Sequence, residues 1–431
     1  MKTKTKIKVI GGGLAGSEAA YQLVKRGYAV ELYEMRPNKN TPAHTTGGLA
    51  ELVCSNSLKS TADTSAQGVL KTELEAMDSL ILRVAKRVSV PAGAALAVDR
   101  ERFSEEVEKE LNSLDSLTII REEITGISED TVIATGPLTS DKMAEALKKA
   151  TGGDFLSFFD AVAPIVTLSS VDMEHAFWGA RYQKGDPDYL NCPMDKEEYE
   201  SFVKELLNAR RFGVHDVDKG RVFESCMPVE VMAARGVESL RFGPMRPVGL
   251  KGHDGRRPYA ALQLRQEDEY KELVNLVGFQ TNLAFPEQER VFGMIPALKN
   301  AEFVRYGKMH RNTYLNAPKI LERGMRLKGT DCIFVAGQLS GVEGYMESVM
   351  SGLLSAVNVD RVKRGLDLAI PAETTVSGGL MRYLSAENRD FQPMHVSFEL
   401  VPPPDRVIKD KTERKRYKAA RAADDIKKFQ L

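Results

Sequence analysis

Two sets of residues in this chain are placed to do chemistry: a glycine run near the N-terminus and four scattered cysteines. In Gly11-x-Gly13-x-x-Gly16 one glycine permits a tight turn, one lets backbone approach a pyrophosphate, and one allows a helix to pack closely on a strand. Gly12, Leu14 and Ala15 fill the intervening positions, and the pyrophosphate would rest on the N-terminus of the helix that follows. Glu34 ends the next strand and is placed to accept hydrogen bonds from ribose hydroxyls. Cys54, Cys192, Cys226 and Cys332 include no CxxC pair, which argues against a zinc site and against a dense disulfide framework. No metal is expected.

The cysteines differ in setting. Cys54 lies beside Ser55-Asn56-Ser57, a polar run suited to a site loop. Pro228, followed by residues 229–233 and stopped by Gly236, predicts a short helix with proline in its first turn. Cys226 then sits at a helix N-terminus, where the dipole lowers a thiol pKa; on residues alone, a small buried hydrophobe is the competing reading. Cys192, followed by Pro193, reads as structural, and Cys332 in an apolar strand reads as core.

The elements that must position these groups open with strand, glycine turn, helix and strand over residues 7–33, a βαβ unit. Leu70, Leu74, Met77, Ile81 and Ala85 recur at helical spacing and predict one amphipathic helix over 67–86. Residues 117–120 and 131–135 predict strands of the same sheet. Residues 332–336 predict another, running into Gly337-Gln338 and a long small-residue helix to about 358. Between them, residues 166–295 change texture to irregular segments with short strand candidates such as 275–279. The fold class expected is α/β, an FAD-binding Rossmann-type domain from residues 1–165 and 296–431 with an inserted α/β substrate domain at 166–295. The segments ending at Gly136 and at Gly337-Gln338 resemble the flavoprotein arrangement in which distant strands close over a long dinucleotide. That favours FAD over NAD, and the absence of a second GxGxxG unit leaves any nicotinamide to dock transiently.

Composition narrows the function class. Hydrophobic residues make up 42% and charged ones 28%, ordinary globular usage. Lys+Arg and Asp+Glu both total 60, so no global charge draws the chain to nucleic acid or an anionic membrane. Lys8, the glycine run and Glu18 interrupt any signal-peptide core, and no apolar stretch is long enough to span a bilayer. A cytoplasmic protein is expected. The C-terminal stretch 406–431 holds ten Lys/Arg against four Asp/Glu and predicts a solvated helix with Thr412 and Glu413 in its first turn.

Over nearly its whole length the sequence resembles the bacterial methylenetetrahydrofolate-dependent, FAD-containing tRNA (uracil-5-)-methyltransferases. The segments that carry the resemblance include Gly13-Leu14-Ala15-Gly16-Ser17-Glu18-Ala19, Glu34-Met35-Arg36-Pro37, Thr41-Pro42-Ala43-His44 and Glu51-Leu52-Val53-Cys54-Ser55-Asn56-Ser57-Leu58. Others are Asn191-Cys192-Pro193-Met194, Cys226-Met227-Pro228, Phe242-Gly243-Pro244-Met245, Met309-His310-Arg311-Asn312-Thr313 and Gly341-Val342-Glu343-Gly344-Tyr345. The resemblance implies that FAD is held by Gly11 to Gly16, Glu34, Arg36, Gly136, Gly337 and Gln338. It also implies methylenetetrahydrofolate and NAD(P)H as co-substrates and 5-methyluridine in the tRNA T-loop as product. Cys226 is implied as the thiolate that adds to uracil carbon 6, activating carbon 5, and Cys54 as the group beside the flavin that removes the carbon 5 proton. His44 and His310 become candidates for folate or flavin contact, with a structural hydrogen bond the alternative for each.

For RNA, the insert offers Arg210, Arg211, Arg235, Arg241 and Arg265, with Tyr259 for stacking. Arg221, Arg246, Arg256 and Arg257 are the leading phosphate contacts; a solvated surface position is the alternative for any single one. No obligatory protein partner is expected. Two departures from the family pattern are Gly12 in the turn and an extra glycine within residues 45–49. The rival readings are the same chemistry on ribosomal RNA, a flavin-dependent wobble-uridine enzyme, whose chains are much longer, and a non-catalytic flavin- and RNA-binding factor.

Overall fold

Short β-branched runs assemble into a five-stranded sheet in the order Ile333–Val335, Thr131–Ile133, Lys6–Ile10, Ala29–Tyr33, Leu117–Ile120. Every pairing in it is parallel. Its central strands are covered on both faces, as parallel strands require. The structure, a computed structural model, describes residues 5–152, 155–183, 186–212, 227–388 and 391–429.

The glycine turn joins strand Lys6–Ile10 to helix Leu14–Lys25. Gly11 has φ +103°, and a Cβ there would fall 2.4 Å from the Ala134 carbonyl oxygen. At Gly16 a Cβ would fall 1.8 Å from the Gly11 oxygen, so the helix lies against its own strand at a distance only glycine permits. The long helix Tyr345–Lys363 packs across Leu14–Lys25 through its small residues; a Cβ on Gly352 would meet the Ala15 oxygen at 2.2 Å. The far-downstream strand and helix thereby complete the first sheet, and one continuous core runs from Ile7 to Leu147 and again from Tyr314 to Ile426.

A second core extends from Val166 to Leu298, with Phe303 packed on its rim. Its sheet has six strands, ordered Phe177–Trp178, Tyr189–Met194, Ala260–Gln266, Leu273–Leu276, Ile165–Thr167, Phe303–Arg305, all antiparallel. Tyr199 and Phe202 of helix Lys196–Asn208 and Phe292 of helix Phe285–Phe292 supply much of the packing. A two-stranded antiparallel ribbon, Phe155–Ala161 with Met309–Leu315, carries the chain out and back.

Two elements differ from expectation. The helix predicted over 67–86 is two, Ala66–Ala76 and Leu80–Arg87, separated at Asp78, whose φ is +55°. Ser79 caps the second, its Oγ accepting from the Leu82 amide at 3.2 Å, and buried Glu18 accepts from Ser79 Oγ at 2.8 Å and the Ile81 amide at 3.0 Å. Both helices bury the same side, so the apolar period runs on through the break. The strand predicted at 275–279 is Leu273–Leu276, ended by a turn through Gly278. At the C-terminus Asp410 caps helix Lys411–Lys427 by accepting from the Glu413 amide at 2.7 Å, and Ala422 and Ile426 anchor it on the first core. No helix among the described residues is long and apolar enough to cross a membrane.

Candidate functional site

A cleft lies at the carboxyl ends of the parallel strands, where open α/β sheets bind ligands. Gly11, Gly13, Leu14, Ala15, Glu34, Arg36, Gly136, Gly337 and Gln338 all line it. Gly13 has open space where a Cβ would be, so nothing keeps a phosphate from the first turn of helix Leu14–Lys25. Gly12 and Gly16 stand behind the wall. The donor set and shape suit an extended dinucleotide: a helix N-terminus in the middle, a carboxylate at one end, and the second glycine segment at the other.

At the carboxylate end Glu34 is buried and fully hydrogen-bonded. Its Oε1 accepts from the Arg36 amide at 3.0 Å and Arg36 Nε at 2.9 Å; its Oε2 accepts from the Gly12 amide at 2.9 Å and Arg36 Nη2 at 3.1 Å. Arg36, 1% exposed, also donates from Nη1 to Glu51 Oε2 at 2.9 Å. Burial pushes the Glu34 carboxyl upward, but the bonds and charge of Arg36 outweigh it and hold the group below its ordinary range. Glu51 behaves the same way, with the Thr45 amide and Thr46 hydroxyl overcoming burial. His44 lines the cleft nearby, its Nδ1 2.6 Å from Thr41 Oγ1. Both departures from the family pattern sit here as packing positions. A Cβ on Gly12 would meet Leu49 at 2.5 Å, and one on Gly48 would meet Ser104 Oγ at 2.4 Å.

Cys54 sits on a half-buried loop between the two cores, and its backbone is fixed from several directions. Tyr345, the first residue of helix Tyr345–Lys363, accepts at its hydroxyl from the amides of Cys54 at 2.8 Å and Ser55 at 3.2 Å. Arg305 donates to the Val53 carbonyl at 2.7 Å, and Arg100 donates to that of Leu52 while pairing with Glu267 at 2.8 Å. Arg265 donates to Asn56 Oδ1 at 2.9 Å and Ser55 Oγ at 2.8 Å. In strand Ala260–Gln266 the period of two sends Ala260, Leu262 and Leu264 into the second core and turns Gln263 and Arg265 to the other face, where Gln263 donates to Asn191 of the adjacent strand and Arg265 reaches the Cys54 loop. Burial and the neighbouring Cys54 push the Tyr345 hydroxyl upward, so it stays protonated. Burial, and the charge of Arg100 beside it, hold Arg305 below its usual range. Val53 and Tyr345 also line the cleft, which brings the Cys54 loop to the dinucleotide site.

Arg265, expected on an RNA-facing surface, is buried instead. Arg246 donates to the Tyr182 hydroxyl at 3.0 Å, Arg241 lies 4.3 Å over the Tyr259 ring, and Arg256 and Arg257 are exposed. Cys226 and Arg221 lie outside the described residues, as does the side chain of His310. Cys192 and Cys332 are buried core thiols; burial raises both, Cys332 to about 12. No metal-binding group of His, Cys, Asp and Glu occurs among the described residues. Sequence reasoning missed Arg100, Glu267 and Arg305, and quoted Tyr345 without a role. The usable signal was Gln263 and Arg265, polar at alternate positions of an apolar strand.

The fold and cleft define a dinucleotide-binding α/β protein with a second, antiparallel-sheet unit set into it. The family model described as Glucose inhibited division protein A matches residues 6–367, and the crystal structure of Aquifex aeolicus GidA in form II superposes with a TM-score of 0.72 at 14% identity, covering 99% of this chain and 73% of that one. Within that group, the chain belongs to the family of methylenetetrahydrofolate–tRNA-(uracil-5-)-methyltransferases TrmFO. It is 53% identical to the Moorella thermoacetica protein of that name over 97% of both chains. It is 50% identical to the Listeria welshimeri one over 98% of both.

Proposed function

We propose that this protein is a folate- and FAD-dependent methyltransferase that forms 5-methyluridine in the T-loop of tRNA in the cytoplasm. Membership of the TrmFO family carries the reaction class. The observation in this chain that supports it most directly is the joining of the dinucleotide cleft to a fixed cysteine loop through Val53 and Tyr345.

When bound, FAD supplies the redox chemistry that turns a folate-derived methylene into a methyl, with NAD(P)H as reductant. The amides after Gly13 would hold its pyrophosphate, Glu34 its ribose, and Gly136, Gly337 and Gln338 the rest of the molecule. Cys226 adds as thiolate to carbon 6 of the uracil, which makes carbon 5 nucleophilic. Cys54 takes the proton that leaves carbon 5, and Arg100, Arg305 and Tyr345 hold its backbone for that task. Because both cysteines must reach one ring, the uridine has to be flipped out of the folded T-arm. The unit built on the second core, residues 166–295 with its edge strand, is the proposed RNA-binding domain. Arg221, Arg246, Arg256 and Arg257 are its proposed phosphate contacts.

Incubating the FAD-loaded protein with a tRNA transcript, methylenetetrahydrofolate and NADPH tests the reading through nucleoside digestion. 5-Methyluridine at the T-loop position is expected, absent from Cys226→Ala and from Cys54→Ala. Product formed equally well by Cys226→Ala would overturn the nucleophile assignment.

A further inference from the structure

Four aromatic rings form a continuous ladder on the surface of the second unit. Phe212 meets Phe285 edge to face with centroids 5.0 Å apart; Phe285 stacks on Tyr306 at 4.6 Å and 26°; Tyr306 stacks on Phe303 at 5.5 Å and 6°. Phe303 roots the ladder on the second core, whereas Phe212 is 40% and Phe285 38% exposed. Neither exposed ring is there through loose chain. The Phe212 amide donates to the Asn282 carbonyl at 3.0 Å, Asn282 Nδ2 donates back to the Phe212 carbonyl at 3.2 Å, and the Ala284 amide donates to the Arg210 carbonyl at 2.9 Å. The geometry therefore holds two large, partly exposed aromatic rings at a fixed position.

We infer that this ladder is a stacking platform for an unpaired base of the substrate RNA loop. The inference rests on the RNA-methylating function proposed above. Arg210 and Arg211 directly precede Phe212 and Lys308 lies two residues after Tyr306; all three are exposed, and Arg211 also acts on the buried Glu230 carboxylate. The carboxylates of the neighbouring helix are engaged: Glu287 pairs with Arg290 at 2.8 Å, and Glu289 accepts from the Tyr306 hydroxyl. Exposed aromatic rings with guanidinium and ammonium groups close by in the chain match a base and its phosphates. They do not match an apolar protein face, which would leave those cations to be desolvated unpaired. Chain connectivity links the platform to the Cys54 loop. Tyr306 directly follows Arg305, which binds the carbonyl before Cys54. A base of the same loop stacked here would hold the loop open while the uridine is withdrawn.

The test uses the full-length FAD-loaded protein and a short RNA hairpin carrying 2-aminopurine in its loop, whose fluorescence is quenched by stacking on an aromatic ring. Wild type is expected to quench it. Phe212→Ala and Phe285→Ala are expected to lose the quenching and to weaken binding by about 10-fold each. Phe285→Leu, which keeps the apolar volume without a π face, should behave like alanine, and Phe285→Trp should restore both signals. Flavin absorbance monitors folding, and if the alanine variants fail to fold, the leucine variant decides alone. Wild-type quenching in Phe285→Leu overturns the platform. So does unchanged RNA binding in the variants together with a changed sedimentation coefficient, which would make the ladder a protein interface. A wild-type protein that quenches but does not methylate would instead refute the proposed reaction.

Discussion

Replacing Tyr345 with phenylalanine removes one oxygen and keeps the ring that lines the cleft. That oxygen accepts from the amides of Cys54 at 2.8 Å and Ser55 at 3.2 Å. A buried amide left without a partner costs about 1–3 kcal/mol, and an ordinary hydrogen bond about 0.5–1.5 kcal/mol net. Both residues are half-exposed, so water can take over in part, and we expect a loss of roughly 1–2 kcal/mol, concentrated in the loop. A loss of that size melts a domain only a few degrees earlier, roughly 2–4 °C per kcal/mol. Catalysis should suffer more, because a thiol displaced by about 1 Å can cost on the order of 100-fold. Single-turnover formation of 5-methyluridine in a tRNA transcript should therefore slow by roughly 10- to 100-fold, with flavin content unchanged. Iodoacetamide labelling of Cys54, followed by peptide mass, should become faster as the loop loosens. A variant that methylates and alkylates at wild-type rates would show that the hydroxyl does not position the cysteine.

Glu34→Gln leaves buried Arg36 with only Glu51 as ion-pair partner among the described residues, and we expect a loss of about 3 kcal/mol, the low end for a broken buried pair, read as a lower urea midpoint and weaker FAD retention. Because Glu34 and Glu51 are held below their ordinary range in the folded state, their stabilisation is present above the unfolded carboxyl pKa of about 4.3 and lost as pH falls below it. Acid unfolding of Glu34→Gln should accordingly be shallower than wild type, and parallel curves would contradict the assignment. Gly13→Ala meets open space and should fold normally while binding FAD less tightly. Gly16→Ala would put a Cβ 1.8 Å from a backbone oxygen and should fail to give soluble, yellow protein; equal behaviour of the two would refute the roles assigned. Glu73, buried against the Val376 and Ser377 amides at 2.7 and 3.0 Å, is raised to about 7 by burial. Its protonated form is favoured by folding, so that contribution is full below about pH 4.5 and disappears as pH rises through about 7. Melting temperatures at pH 5 and pH 8 should differ less in Glu73→Gln than in wild type, and an identical difference would exclude Glu73 as the source.

Much of the fold was legible because the signals are local. The strand, glycine turn and helix at the N-terminus follow from φ > 0 at Gly11 and close approach at Gly16, both properties of a few adjacent residues. The helix break at Asp78 was harder, because apolar periodicity reports which side is buried and is silent about whether the backbone is continuous. The extra support at the break comes from Glu18, about sixty residues earlier in the chain. Arg265 shows the same limit. An arginine at an alternate position of a strand reads as facing solvent, yet a strand buried on both faces puts it against Asn56 and Ser55.

By itself, the sequence determined the dinucleotide turn, the α/β class and, through its motifs, the reaction family. It could do so because each depends on spacing along the chain. Only the tertiary structure decided that Arg100, Arg265, Arg305 and Tyr345 converge on the Cys54 loop, and that Phe212, Phe285, Phe303 and Tyr306 share one surface. These groups are separated by tens to hundreds of residues, and their partnership arises when two cores pack and each buried charge or amide must find a partner in the shared, water-poor boundary.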